Sequence, residues 1–140
     1  MLTAVPELPD IVVYIEALER RIPGQRLQQV QIDAPFLLRT AVPPLSIAEG
    51  KKVVNLRRLG KRICIGLEED LWLVLHLMIA GRLHWYEAES AVSRTQKSAA
   101  FVFANGTLTL TEAGSRKRAS LHVVEGGPAK IRKIGRPAAV

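Results

Sequence analysis

A proline followed by a carboxylate stands near the start of the chain, in the segment Pro6-Glu7-Leu8-Pro9-Asp10. A proline at the first position of a polypeptide carries a secondary amine, and an α-amino group titrates well below a lysine side chain. Such an amine is partly unprotonated near neutral pH and can attack an electrophilic sugar carbon while a neighbouring carboxylate moves protons. Residues 1–5 precede Pro6 in this sequence, so its nitrogen lies in a peptide bond and the amine is not free.

Two later segments carry further side chains suited to such chemistry. Arg57-Arg58-Leu59-Gly60-Lys61 ends in a lysine directly before a predicted strand, and His76-Leu77-Met78-Ile79-Ala80-Gly81-Arg82-Leu83 begins with a histidine. Each residue also has a structural explanation. Glu7 can stabilise the first turn of a helix, and Lys61 can be a surface lysine at a strand edge. His76 can be a hydrogen-bonded core histidine, with Met78 and Ile79 as core residues.

The elements that must position these residues are one helix and a series of strands. Asp10 is predicted to cap a helix whose apolar residues recur at helical spacing from Ile11 to Ile22, and Pro23-Gly24 to end it. Alternating or short apolar runs predict strands over 27–32, 52–56, 62–67, 71–77, 82–86, 99–104, 107–111 and 121–124. Asn105-Gly106 predicts a tight hairpin. The predicted fold is mainly β with α: an N-terminal helix followed by a roughly eight-stranded antiparallel β-sandwich or barrel.

The charge of the chain is concentrated near its C-terminal end. The 140 residues carry a net charge of +7, and residues 113–140 hold seven basic residues against one acidic residue. A second basic cluster comprises Arg57, Arg58, Lys61 and Arg62. Clustered positive charge favours a polyanionic partner such as nucleic acid, and a solvated surface is the alternative.

Composition excludes several other classes of protein. The single cysteine, Cys64, rules out an internal disulfide and a cysteine zinc site, and its apolar surroundings predict a buried, inert thiol. We therefore expect no cofactor. The longest apolar stretch, residues 71–80, is too short to span a bilayer, and the start of the chain does not resemble a signal peptide. We expect a soluble cytoplasmic protein without a membrane partner.

Taken in order, the three segments resemble the N-terminal domain of the formamidopyrimidine-DNA glycosylase and endonuclease VIII family. The similarity runs from Pro6 to about Val124. It implies a DNA repair enzyme that binds damaged double-stranded DNA, flips the damaged nucleotide out of the stack and excises oxidised bases. The Pro6 amine would attack C1′ and form a Schiff base, after which β- and δ-elimination cut the strand. Glu7 would be the acid/base partner, and Lys61 would contact the phosphate beside the lesion.

The resemblance also implies residues that bind DNA. His76 is expected to contact a phosphate, and Ile79 stands where the family places a void-filling methionine. Arg58 and the basic triplet Arg116, Lys117 and Arg118 are further expected DNA contacts. The triplet lies in the segment 111–121, which replaces the family's Asp-Pro-Arg-Arg-Phe-Gly wedge loop and lacks its aromatic residue.

The chain departs from the family pattern at both ends and within the histidine segment. Residues 1–5 form an extension, residues 6–125 the catalytic domain, and residues 126–140 a basic tail in place of a helix-two-turn-helix domain and a zinc finger. We expect a shortened form, a split gene or a frameshift product, with a separate chain as one source of the missing half. A start at Val5, followed by removal of that residue, would free Pro6. Met78 replaces a family glycine, which is unfavourable if its backbone has a positive φ.

Two alternative functions remain open at this point. A non-catalytic nucleic-acid-binding module would keep the fold without a free amine. A basic structural or partner-binding β-domain would share the motifs by accident, and it need not bind DNA in a salt-dependent way.

Overall fold

A helix followed by two antiparallel sheets makes up the computed structural model, which describes residues 6–87, 96–114, 117–127 and 130–131. Within these residues, helix α1 (Leu8–Glu19) precedes eight strands. The strands are β1 (Leu27–Ile32), β2 (Val53–Leu59), β3 (Arg62–Leu67), β4 (Leu71–His76), β5 (Gly81–Tyr86), β6 (Ala99–Phe103), β7 (Gly106–Glu112) and β8 (Ser120–Glu125). The sheets have the orders β1-β6-β7-β5 and β2-β3-β4-β8. The predicted fold class is confirmed.

Helix α1 begins and ends earlier than its sequence pattern predicts. Its N-cap is Glu7, and Asp10 lies inside the first turn, where its carboxylate accepts a hydrogen bond from the Glu7 N–H at 2.8 Å. The prediction of Asp10 as N-cap is therefore wrong, because a proline is well tolerated in the first turn, where N–H groups have no partner within the helix. The helix ends at Glu19, before Pro23-Gly24, although Ile22 is still buried.

The core lies between the inner faces of the two sheets, with α1 packed against β2 and β3. A second, smaller apolar cluster covers the outer face of the β2-β3-β4-β8 sheet and contains Cys64, Trp72, Val74 and Ile131. Cys64 is buried, as predicted, and burial raises the pKa of its thiol to about 11, which disfavours the reactive thiolate. Ile131 belongs to the predicted basic tail, so at least this part of the tail contributes to packing; residues 132–140 lie outside the described residues.

The predicted hairpin at Asn105-Gly106 is present, but its loop is shifted by one residue. Phe103 pairs with Gly106, so Ala104 and Asn105 form the turn and Gly106 opens β7. A Cβ on Gly106 would overlap the indole ring of Trp85. Glycine is therefore required here by close packing against Trp85, which sequence alone does not reveal.

Candidate functional site

Glu7 and Lys61 lie in direct contact although 54 residues separate them in the chain. The Lys61 Nζ donates to the Glu7 Oε1 at 3.1 Å, and both side chains are exposed. Lys61 occupies a two-residue turn between β2 and β3, where Leu59 pairs with Arg62. Gly60, the first residue of this turn, has a φ of +61°, a conformation that glycine adopts without steric cost. The turn thus presents Lys61 beside the start of α1.

Pro6 directly precedes this contact. It is buried, and the next residue, Glu7, caps the helix whose free N–H groups carry partial positive charge. The hydrogen bond from the Glu7 N–H to the Asp10 carboxylate fixes the backbone between Pro6 and the helix. A nucleophile at Pro6 would have a carboxylate on the next residue and an ammonium group at hydrogen-bond distance from that carboxylate. In the 140-residue chain the Pro6 nitrogen is bonded to Val5, so Pro6 can act as a nucleophile only if it becomes the first residue.

Arg58 lies near the end of β2 and braces the same turn. Its Nη1 donates to the Gly60 carbonyl at 2.9 Å, and the residue is exposed. This hydrogen bond holds the guanidinium close to Lys61 on the surface of the turn. The sequence-predicted DNA contact Arg58 is therefore placed beside the candidate catalytic pair.

His76 ends strand β4 at the same end of the second sheet. Its Cα pairs with Arg62 on one side and Ser120 on the other, which places it next to the turn carrying Lys61. Desolvation by burial lowers the pKa of His76, and the nearby positive charges of Arg62 and Lys61 lower it further. A neutral imidazole retains one N–H donor, so His76 can donate a hydrogen bond to a phosphate oxygen without carrying charge.

The turn after His76 projects an apolar side chain to the surface. Ile79 is 55% exposed, so its interpretation as a core residue is wrong, and the position expected to fill a void in DNA is accessible. Met78 is half-buried and has a φ of +59°. This left-handed backbone conformation is unfavourable for a residue with a Cβ atom, so methionine fits this position less well than the glycine it replaces. Gly81 closes the turn with a hydrogen bond to the Leu77 carbonyl at 3.0 Å, and a Cβ on Gly81 would overlap that carbonyl.

The loop between β7 and β8 is held by a buried carboxylate. Glu112 is 8% exposed, and its Oε2 accepts hydrogen bonds at 2.8 Å from the backbone N–H groups of Arg118 and Ala119. Lys117 Nζ donates to the carbonyls of Glu112 and Gly114 within the same loop. The predicted DNA contacts Lys117 and Arg118 are both exposed, but Lys117 binds its own loop and not the Glu7–Lys61 pair. Arg116 lies outside the described residues.

Sequence reasoning missed Arg39, which shapes this region, and identified Arg62 only as a member of a basic cluster. Arg62 donates to the Ile131 carbonyl at 3.0 Å and lies beside His76, and Arg39 donates to the carbonyls of Arg118 and Ala119. Glu112 was also missed. Glu112 could have been singled out because it is a lone acidic residue at the start of a basic loop. The contacts of Arg39 could not, because they join residues about 80 positions apart and are not indicated by the neighbouring residues.

Among the described residues, no three histidine, cysteine, aspartate or glutamate side chains are placed to hold a metal ion. The same residues include no helix with the length and apolar character needed to cross a bilayer.

Comparisons with known proteins identify relatives that are much longer than this chain. The formamidopyrimidine-DNA glycosylase of Lactobacillus johnsonii is 28% identical over 137 residues, which cover 93% of this chain and 48% of that protein. The enzyme of the same name from Variovorax paradoxus is 36% identical over 80 residues, covering 57% of this chain and 29% of the relative. The chain therefore spans less than half the length of these curated relatives.

The fold is also that of solved structures with this name. Lactococcus lactis formamidopyrimidine-DNA glycosylase, solved non-covalently bound to DNA containing an abasic site, superposes with a TM-score of 0.75 at 24% identity. The match covers 84% of this chain and 45% of that one. The family model described as the formamidopyrimidine-DNA glycosylase N-terminal domain matches residues 5–121. Because that match covers most of the chain, the protein belongs to the formamidopyrimidine-DNA glycosylase family through its N-terminal domain.

Proposed function

We propose that this chain is the catalytic N-terminal domain of a DNA glycosylase and abasic-site lyase that acts on oxidised bases in damaged duplex DNA. The observation that carries this proposal is the 3.1 Å contact between Lys61 and Glu7, directly beside Pro6. Family membership supplies the expected chemistry, and this contact brings two of the expected participants together at the residue that would be the nucleophile.

In the proposed reaction, the free Pro6 amine forms a bond to C1′ of the damaged nucleotide as the bond from C1′ to the base breaks. The departing base takes up a proton and the proline nitrogen loses one. The C1′–O4′ bond then breaks, O4′ takes up a proton as the sugar ring opens, and the nitrogen lone pair completes the C=N bond of the Schiff base, which allows β- and δ-elimination to expel the two flanking phosphates and cut the strand. Glu7 moves protons at this centre, since a carboxylate on the neighbouring residue can reach the reacting atoms. Lys61 binds the phosphate next to the lesion, and its charge favours the unprotonated form of a nearby amine.

DNA is held by the residues around this centre. His76 and Arg58 contact the phosphate backbone on either side of Lys61, and Lys117 and Arg118 add contacts from the β7–β8 loop. Arg116, which lies outside the described residues, is proposed to act with them. Ile79, exposed at the tip of its turn, enters the gap left by the flipped nucleotide.

The catalytic domain is proposed to comprise residues 6–125, between the extension 1–5 and the basic segment 126–140. The proposed reaction needs no cofactor, because an amine and a carboxylate supply its chemistry. The relatives named above are about twice as long as this chain. We therefore propose that a second DNA-binding half, in the same polypeptide or in a separate chain, completes the grip on DNA.

A non-catalytic DNA-binding module is the second candidate function. The observation that favours it is that Pro6 is buried and that its nitrogen is bonded to Val5. Such a module would bind DNA through the same basic residues and would form no covalent intermediate.

Borohydride trapping separates the two candidates. A duplex with an abasic site is incubated with borohydride and one of two proteins, either the 140-residue chain or a shorter chain that begins at Pro6. The catalytic proposal predicts a covalent complex with the shorter chain alone, and Glu7→Gln in that chain should reduce its yield. No complex with either chain would support the binding module. Intact-mass measurement of natively expressed protein reports whether residues 2–5 are retained; their retention would contradict a start at Val5.

A further inference from the structure

We propose that Phe36 stacks on a base that bound DNA leaves unpaired. The inference rests on the proposed function, because it needs DNA as the partner. Phe36 is 83% exposed, whereas the other two phenylalanines of the chain, Phe101 and Phe103, are buried in the core. Phenylalanine side chains stabilise a fold mainly by being buried. A phenylalanine exposed to this extent contributes little to this fold and is available to a partner.

The backbone around Phe36 is held firmly even though the ring is exposed. The Leu37 N–H donates to the Ala34 carbonyl at 3.0 Å, and Leu37 is buried in the core. Arg39 Nε donates to the Phe36 carbonyl at 2.6 Å. The Leu121 N–H donates to the Leu37 carbonyl, and the Arg39 N–H donates to the Leu121 carbonyl, which ties the segment to β8. A ring on a fixed backbone loses little conformational freedom when it binds, so more of the stacking energy remains as affinity.

Phe36 lies at the same end of the fold as the candidate site. Leu38 pairs in parallel with Leu121, so the chain before Leu38 extends towards the start of β8. Ser120, the first residue of β8, pairs with His76. Phe36 therefore lies on the side of β8 that faces away from β4, at the end where His76 stands.

Charged side chains of both signs lie near the exposed ring. Phe36, Lys97 and Lys117 line one cavity of about 780 Å³, and Arg39 contacts the loop that carries Lys117. Two carboxylates also line this cavity; Asp33 is paired with Lys97 at 3.4 Å, and Glu112 accepts backbone hydrogen bonds. The exposed cations Lys117 and Arg39 lie near the aromatic ring, a combination that binds a base by stacking and its phosphates by charge. This complementarity favours a nucleotide over an apolar protein partner.

Fluorescence of a modified base tests the proposal. The unaltered chain and its variants are titrated against a duplex in which an abasic site lies opposite 2-aminopurine. The titration is done at about 50 mM salt, where phosphate contacts are strong. Stacking on an aromatic side chain contributes about 1–3 kcal/mol per base, so Phe36→Ala should weaken binding by roughly 5- to 160-fold and abolish quenching of 2-aminopurine. Phe36→Trp should retain both. Circular dichroism and thermal unfolding show whether each variant is folded.

Val42→Ala is the matched control, because Val42 is 85% exposed in the loop that follows and has no ring. It should bind DNA like the unaltered chain. If Phe36→Ala is folded and binds and quenches normally, the stacking proposal is wrong while DNA binding by the domain stands. If the unaltered chain does not bind the duplex at all, the proposed function fails and the stacking proposal fails with it.

Discussion

The buried carboxylate of Glu112 is expected to hold the β7–β8 loop in place, and its removal should destabilise the protein markedly. Glu112→Ala leaves the N–H groups of Arg118 and Ala119 without their acceptor, and the Ala119 N–H is buried. A buried N–H group left without its acceptor costs free energy. Lys117, which donates to the main-chain carbonyl of Glu112, would lose the fixed backbone of its own loop.

The size of the effect follows from the number and type of bonds. A hydrogen bond to a charged group contributes about 1.5–3 kcal/mol, and Glu112 makes two at 2.8 Å. Because the carboxylate also loses hydration on burial, the expected loss for Glu112→Ala is about 3 kcal/mol. Glu112→Gln keeps a carbonyl oxygen that can accept both bonds and loses only the charge, so it should cost about 1 kcal/mol.

Urea unfolding followed by tryptophan fluorescence measures both variants, since Trp72 and Trp85 lie in different sheets. If the free energy of unfolding depends on urea concentration with the same slope in each variant and only the urea midpoint shifts, the substitution has changed stability. Glu16→Ala, on the exposed face of α1, is the control and should stay within about 0.5 kcal/mol of the unaltered protein. A loss below about 1 kcal/mol for Glu112→Ala would refute the role assigned to this carboxylate.

Three further predictions concern the turn, the histidines and the thiol. Gly81→Ala should lower the free energy of unfolding in urea by about 1–3 kcal/mol, because its Cβ overlaps the Leu77 carbonyl; an unchanged midpoint would contradict this packing. Burial and nearby positive charge hold the pKa values of His76 and His122 below 6.5, so the unfolded chain takes up protons first and stability should fall as pH drops below 6.5. Replacing both histidines by glutamine should reduce the difference between the urea midpoints at pH 7 and pH 5. An undiminished difference would contradict the role of the two histidines in the pH dependence of stability. Cys64 should react with a thiol reagent at pH 8 only after unfolding, and fast labelling of the folded protein would show that the thiol is accessible.

Most of the fold could be predicted because its signals are local. The strand β3, for example, is a continuous apolar run bounded by Gly60-Lys61 and the acidic turn Glu68–Asp70, and the predicted range 62–67 is the observed one. The helix start was misplaced because Asp10 is a good N-cap by type, whereas the observed cap, Glu7, precedes a proline-containing first turn. Local propensity did not distinguish the two positions.

The candidate site was predictable only in part. The proximity of Glu7 and Lys61 was expected from a family resemblance and not from spacing, because 54 residues separate them. The exposure of Ile79 and Phe36 depends on how the ends of the sheets are built, and apolar residues are buried by default in sequence reasoning. Long-range hydrogen bonds such as those of Arg39 arise from tertiary packing alone.

The most direct test of the central claim locates the covalent bond after borohydride trapping. The chain that begins at Pro6 is trapped on abasic-site DNA, digested and analysed by mass spectrometry. We predict that the reduced sugar fragment is attached to the nitrogen of Pro6, with Lys61 unmodified. Attachment to Lys61, or the absence of any adduct on a folded chain that binds the duplex, would contradict it.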